Sequence, residues 1–157
     1  EKANVILKKK TMTTMFMTVG MLKWEQSNAQ SGGNLTYVNA GHEPLMVYSS
    51  RNNEVKMYSC SGMALGMVPD LSGKLDSVSI RLESGDVAVL FSDGIVEAWK
   101  NEKEVYGLDR LKAAVLKSAK SGVSAEETLS AVNKDICDFT QCYEQKDDMT
   151  IVVIKAV

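Results

Sequence analysis

The sequence is poor in the residues that most often build cross-links and soft-metal sites. Three cysteines, Cys60, Cys137 and Cys142, occur in 157 residues. Their number is odd and no two are spaced as CxxC. That argues against a disulfide framework and a thiolate zinc site, and it fits a reducing, cytoplasmic compartment in which these thiols are buried or idle. A single histidine, His42, argues against a zinc hydrolase built on several imidazoles. A dominant charge is missing too. Eighteen Lys and Arg against twenty Asp and Glu leave a net charge of −2, which gives no electrostatic argument for nucleic acid or an anionic membrane. The one basic run, Lys8-Lys9-Lys10, reads as a solvated helix face. No apolar run approaches the roughly 18 residues of a membrane span, and no signal-peptide pattern is visible. No direct membrane contact is therefore expected of this segment. The chain opens on Glu1 rather than methionine, so it reads as an excised or processed piece.

What is present is an ordinary globular composition, 45% apolar and 24% charged, in a length that suits one domain, residues 1–157, with its own core. Ala3, Ile6 and Leu7 share one side of a short helical segment, 3–10. Met15–Trp24 reads as a first strand, Ser27–Asn34 as a turn, and Leu35–Asn39, Leu45–Tyr48 and Val55–Tyr58 as three further strands. Residues 61–71, with Gly62, Gly66 and Pro69, read as an ordered loop. Leu75–Leu82 alternates as a half-buried strand should. The turn Glu83-Ser84-Gly85-Asp86 then feeds the most apolar strand, 87–92, and the strands so far read as an antiparallel meander.

The pattern then changes to helical spacing. Leu108, Leu111, Val115 and Ala119 form one stripe, ended by Ser121-Gly122. Ser124 and Glu127 have the spacing of a capping box. The helix they open would bury Ala125, Leu129, Val132, Ile136 and Phe139. A last strand, 149–154, completes an α+β layered domain. The nine methionines read as fillers of core gaps.

Two stretches could carry chemistry. Val87–Phe91 ends abruptly at Ser92-Asp93-Gly94, and Gln145–Ile154 has the inverse order, with Asp147 and Asp148 at the mouth of a strand. Taken alone, Ser-Asp-Gly is a turn and the Asp pair is a solubilising strand start. If the two strands are neighbours, however, the carboxylates meet at one sheet end. Like charges there are unfavourable without a cation, and carboxylate-only donors select magnesium, manganese or calcium.

Five stretches carry a resemblance that covers nearly the whole chain. They are Met15-Phe16-Met17-Thr18, the run from Leu35 to Pro44 (LTYVNAGHEP), Gly62-Met63-Ala64-Leu65-Gly66, the run from Gly85-Asp86 through Phe91-Ser92-Asp93-Gly94-Ile95-Val96-Glu97-Ala98 with Tyr106-Gly107, and Lys146-Asp147-Asp148-Met149-Thr150. In this order they resemble the SpoIIE/RsbU-type branch of the metal-dependent (PPM) serine/threonine protein phosphatases. The resemblance implies an α-β-β-α sandwich of antiparallel sheets with a two-metal centre of manganese or magnesium. It makes Asp93 and Asp147 metal-binding catalytic residues, with Asp148 a third ligand or a hydrogen-bonding neighbour. The reaction would be direct in-line hydrolysis of a phosphoserine or phosphothreonine, with the metals activating water. The substrate would be a phosphorylated protein, by resemblance an anti-sigma-factor antagonist of the STAS type in bacterial partner switching. The module would be the cytoplasmic output domain of a longer sensor or membrane protein.

One part of the pattern is missing. The aspartate motif that should precede the first helix has no counterpart before Met15, so the chain reads as the C-terminal portion of the catalytic domain with an incomplete metal centre. An uncovered edge or apolar face would invite a homodimer. The competing reading is a degenerate phosphatase-like domain that binds a signalling partner; a plain β-rich binding domain is the third. His42 is expected to hydrogen-bond structurally, and Glu97 to support rather than ligate.

Overall fold

The computed structural model describes residues 2–10, 15–26, 32–141 and 143–157. In chain order the elements are α1 (Lys2–Lys10), β1 (Val19–Gln26), β2 (Gly33–Ala40), β3 (Leu45–Ser49), β4 (Glu54–Tyr58), β5 (Ser77–Leu82), β6 (Val87–Phe91), α2 (Asp93–Val96), β7 (Trp99–Asn101), β8 (Glu104–Val105), α3 (Leu108–Lys120), α4 (Ala125–Thr140) and β9 (Ile151–Lys155). All strand pairs are antiparallel. They form one sheet ordered β1-β2-β5, a second ordered β4-β3-β6-β9, and the small hairpin β7-β8.

The second sheet is the centre of the molecule because both of its faces are covered. Met46, Tyr48, Val87, Val89 and Phe91 face α3 and α4, packing on Leu111, Val115, Val132, Ile136 and Phe139. The alternate residues Leu45, Val47 and Ala88 face the first sheet and meet Leu35, Tyr37, Ile80 and Leu82. A strand buried on both sides has no polar face to show. LMVY and VAVLF therefore read as continuous apolar runs rather than alternating ones. A third cluster, with Leu7 of α1 against Val19, Ala40, Leu65 and Leu71, closes the end of the first sheet.

The α+β layering expected from sequence is present, but the meander is not. The tight turn 83–86 does not join paired neighbours; it carries the chain from the first sheet to the second. Asp86, 5% exposed, explains the crossing. Its carboxylate accepts hydrogen bonds from Ser50 N, Ser50 Oγ and Glu83 N at 2.7–2.9 Å, which fixes the turn to the β3–β4 connection. Several boundaries also move. The first strand begins at Val19 rather than Met15, since Met17 instead exchanges backbone hydrogen bonds of 2.9 Å with Leu65 in the 61–71 loop. Leu75 pairs with Gly62, so β5 starts at Ser77. A Cβ on Gly62 would stand 1.5 Å from Asn39 O, so only glycine lets this loop lie against β2. Gly33 and Asn34 belong to β2; residues 27–31 of the expected turn lie outside the described residues.

The face expected for α1 is also corrected. Ile6 is 56% exposed, while Asn4 is buried; its amide donates to Val68 O and Pro69 O and accepts from Gly66 N. Lys8 joins it by donating to Gly66 O at 2.8 Å, leaving Lys9 and Lys10 as the solvated part of the basic run. Of the methionines, Met46 is buried and Met57 and Met63 pack half-buried on the core, but Met15, Met17, Met21, Met67 and Met149 are exposed, so gap-filling holds for only some of them; Met12 lies outside the described residues. Cys60 is half-buried and Cys137 exposed; Cys142 lies outside the described residues.

The helix pair agrees with the sequence reading in its caps and in Val132, Ile136 and Phe139, but Thr128 is buried with them while Ala125 and Leu129 are only half-buried. Ser124 and Glu127 form a complete capping box, and Gly122 takes φ +71 after α3. Lys155 of β9 donates to Gly122 O and Val123 O at 2.6 and 2.7 Å, tying the α3–α4 connection to the sheet. No helix among the described residues is long and apolar enough to cross a membrane.

Two buried phenols link this core to pH. Burial, with Cys60 and Glu43 nearby, pushes Tyr37 up to about 12 from 10.0, and its hydroxyl donates to Glu43 O at 2.6 Å. Burial and the hydrogen bond to Asp135 raise Tyr106 as well. The folded state thus holds both protons more tightly than the unfolded chain. That contribution is complete below the unfolded value of 10.0 and is lost as pH rises, for Tyr37 through about 12. We expect urea stability to fall from about pH 10 upward and Tyr37→Phe to flatten that fall. An equally steep fall in Tyr37→Phe would refute the assignment.

Candidate active site at one end of the central sheet

The register of β6 and β9 determines where the acidic residues meet. Val87 pairs with Lys155 and Phe91 with Ile151. The residue after β6 and the residues before β9 therefore share one sheet end. Ser92 fastens the two segments there. Its N–H donates to Thr150 O at 2.9 Å, its hydroxyl donates to Asp148 O at 3.0 Å, and Ser92 Oγ itself accepts from Thr150 N at 2.9 Å. Gly94 lets the segments touch: a Cβ on it would lie 2.5 Å from Asp148 O.

Asp93 opens the short helix α2, and its Oδ1 accepts from Gly94 N at 3.0 Å. Asp147 repeats the arrangement, its Oδ1 accepting from Asp148 N at 2.7 Å, while Gln145 Nε2 donates to Asp147 O at 2.8 Å. Asp93, Asp147 and Asp148 are all exposed. Each of the first two is thus steadied by the next amide and keeps its remaining lone pairs toward solvent. Oxygen-only donors of this type suit a hard divalent cation. They make only part of a cage: among the described residues no group of three or more His, Cys, Asp or Glu side chains could hold a metal ion. The donor set fits manganese or magnesium in kind and falls short in number.

The other candidates take structural places. The Asn39 side chain brackets the backbone of His42, donating to His42 O at 2.8 Å and accepting from His42 N at 2.7 Å, while the ring meets Thr18 Oγ1 at 3.3 Å. Glu97 caps α2 through its backbone N–H, donated to Asp93 O at 2.9 Å. Tyr106 N and Gly107 N donate to Ala98 O and Val96 O, so the Tyr-Gly pair closes the β7–β8 hairpin back onto α2.

Sequence reasoning missed the role of Ser92 and missed the hairpin β7-β8. The only signal for the serine is a hydroxyl immediately before Asp-Gly at a strand end. The hairpin strands are too short to show periodicity.

With this geometry in place, the fold is that of the PP2C phosphatases. The PP2C phosphatase domain of SpoIIE from Bacillus subtilis, solved with a fragment of its regulatory domain, superposes with a TM-score of 0.69 at 19% identity, over 98% of this chain and 42% of that one. RsbX in complex with magnesium superposes with a TM-score of 0.62 at 18% identity, over 99% of this chain and 62% of that one. The family model of stage II sporulation protein E (SpoIIE) matches residues 1–157, and the chain belongs to that family. It is 30% identical over 125 residues to protein IcfG of Synechocystis, which covers 79% of this chain and 19% of that protein. It is 28% identical over 152 residues to the phosphoserine phosphatase RsbU of Bacillus subtilis, over 97% of this chain and 42% of that protein. The chain thus spans less than half the length of these curated relatives.

The clasp makes a direct test. Ser92→Ala removes the hydroxyl from two hydrogen bonds and should cost about 1–3 kcal/mol, with Ser92→Thr recovering most of it. Gly94→Ala should destabilise by a similar ~1–3 kcal/mol through the forced shift of the 147–148 backbone. Chemical denaturation measures both, and an unchanged midpoint in Ser92→Ala would refute the clasp.

Proposed function

We propose that residues 1–157 form part of one catalytic domain of a metal-dependent phosphoprotein phosphatase that hydrolyses phosphoserine or phosphothreonine. The observation that carries this reading is the β6–β9 pairing, which brings the Asp93 and Asp147 segments to one exposed sheet end. Family membership and the phosphoserine phosphatase RsbU as a relative support it. Asp93 and Asp147 would hold manganese or magnesium, with Asp148 beside them as a further donor; RsbX, a fold neighbour, was solved with magnesium. When bound, such cations supply Lewis acidity toward phosphoryl oxygens and water. The chain's own part is positional. Ser92 sets the separation of the two segments, Gly94 permits their contact, and neighbouring amides steady the two carboxylates.

The substrate we propose is a phosphorylated signalling protein, an anti-sigma-factor antagonist of the STAS type, in the cytoplasm. The second reading, a partner-binding domain without turnover, draws on the absence of a complete cation cluster among the described residues. A calorimetric manganese titration on the full-length protein and on residues 1–157, with phosphatase assays alongside, separates them. We expect tight binding and turnover in the full-length protein, and a loss of at least about 100-fold in kcat for Asp93→Asn or Asp147→Asn, since even outer-shell partners of a metal cost roughly 10–100-fold. No binding and no turnover in either form would leave the partner-binding reading.

A homodimer forms a further part of the proposal. β1 is an edge strand that exposes Met21 and Trp24, with Met15, Phe16 and Met17 exposed just before it. Exposed apolar residues along an open edge invite pairing with a second chain. Sedimentation of residues 1–157 should show concentration-dependent association; a clean monomer at high concentration would refute it.

A further inference from the structure

Beside the paired segments lies a cleft of about 220 Å³, and Gly94 and Asp147 form part of its wall. It is therefore continuous with the candidate active site. Ala98, Trp99 and Met149 give it an apolar lining, and Cys137 and Thr140 of α4 contribute the facing wall. The volume is below the ~300–1,000 Å³ of ordinary small-molecule sites, and suits a single amino-acid side chain.

The rim selects the charge of that side chain. Lys146 lies over the Trp99 ring, 4.1 Å from its centroid, so the one cation among the cleft's described lining residues is already engaged. Glu97 and Glu144 are exposed on the same rim, and their carboxylates have no cationic partner among the described residues. An acidic occupant would face these carboxylates and Asp147 together, while a long aliphatic stem ending in a positive charge satisfies both lining and rim. In the larger groove between α3 and α4, about 390 Å³, the carboxylates are already hydrogen-bonded within the fold. There Asp138 pairs with Lys134, Asp135 accepts from Tyr106, and Glu127 completes the capping box.

We propose that this cleft is a subsite for an arginine or lysine side chain that flanks the phosphorylated residue of the protein substrate. The proposal rests on the phosphatase reading above and narrows it to substrates with a basic neighbour. The stem packs on Ala98, Trp99 and Met149, and the charged head meets Glu97 and Glu144.

The test uses the full-length protein and phosphoserine peptides that differ only in the flanking residue, arginine, leucine or glutamate. Hydrolysis of the arginine peptide should exceed that of the glutamate peptide by about fivefold in kcat/KM, through KM, the scale of a partly screened charge pair. The ratio should fall to about one in the charge-only double variant Glu97→Gln/Glu144→Gln, because only the screened pair is removed. A second readout does not need turnover. Within residues 1–157 Trp99 and Trp24 are the only tryptophans, so Trp24→Phe in that chain isolates Trp99 emission. A non-hydrolysable phosphonate analogue of the arginine peptide should shift that emission at lower concentration than the glutamate analogue. Turnover without flank preference, a preference for leucine, or a preference that survives the double variant each overturns the subsite while leaving the phosphatase reading intact. Absent turnover together with identical binding of the two analogues overturns both.

Discussion

The antiparallel pairing of β6 with β9 is the constraint on which the rest depends. It joins residues some sixty positions apart and places the ends of two apolar strands side by side. Backbone hydrogen bonds alone would set the register, but register alone does not fix what lies past the last pair. Ser92 does that by continuing the contact with its side chain as well as its backbone, so the loop residues on both sides stay tied. Gly94 lacks the Cβ that would stand 2.5 Å from Asp148 O and push them apart. The central sheet can supply such a rigid edge because helices cover one of its faces and a second sheet the other.

The sequence carried the parts of this that depend on local chemistry. Capping of α4 by Ser124 and Glu127, the glycine after α3 and the apolar stripe through Leu111 and Val115 follow from short-range rules, and each is present. The Asp-bearing ends of β6 and β9 were also legible, because a carboxylate at the mouth of an apolar strand stands out. Illegible were the long-range decisions. Nothing in Glu83–Asp86 announces that its turn switches sheets, since the reason is Asp86 binding Ser50, thirty-six residues away. Nothing in the first helix announces that its buried residue is an asparagine. The apolar rule pointed to Ile6, but the loop at 66–69 presents two carbonyls and an amide that only a side-chain amide can satisfy together.

The same distinction separates Ser92 from the aspartates. A carboxylate advertises its chemistry wherever it stands, whereas a serine hydroxyl is informative only once its partners are known. The family pattern includes a residue at this place without explaining it; the distances do. A positioning role emerges because one hydroxyl donates to Asp148 O and accepts from Thr150 N, so a single side chain ties two points of the facing segment.

Leaving the acidic residues at an exposed sheet end also has an energetic logic. Burying unpaired carboxylates is costly, and the proposed phosphatase reading calls for a site open to a charged phosphoprotein. The fold separates the two demands. Apolar strands supply rigidity from inside, and the charged groups begin where burial stops, at Ser92 on one strand and Thr150 on the other. The cleft against Trp99 extends that arrangement by one step. Its lining is apolar where it meets the core and acidic where it meets water, so a substrate side chain entering it crosses the same boundary that Asp93 and Asp147 mark. Recognition of a flanking residue and placement of the phosphorylated one would then depend on a single rigid edge, and motion of β9 against β6 would disturb both together.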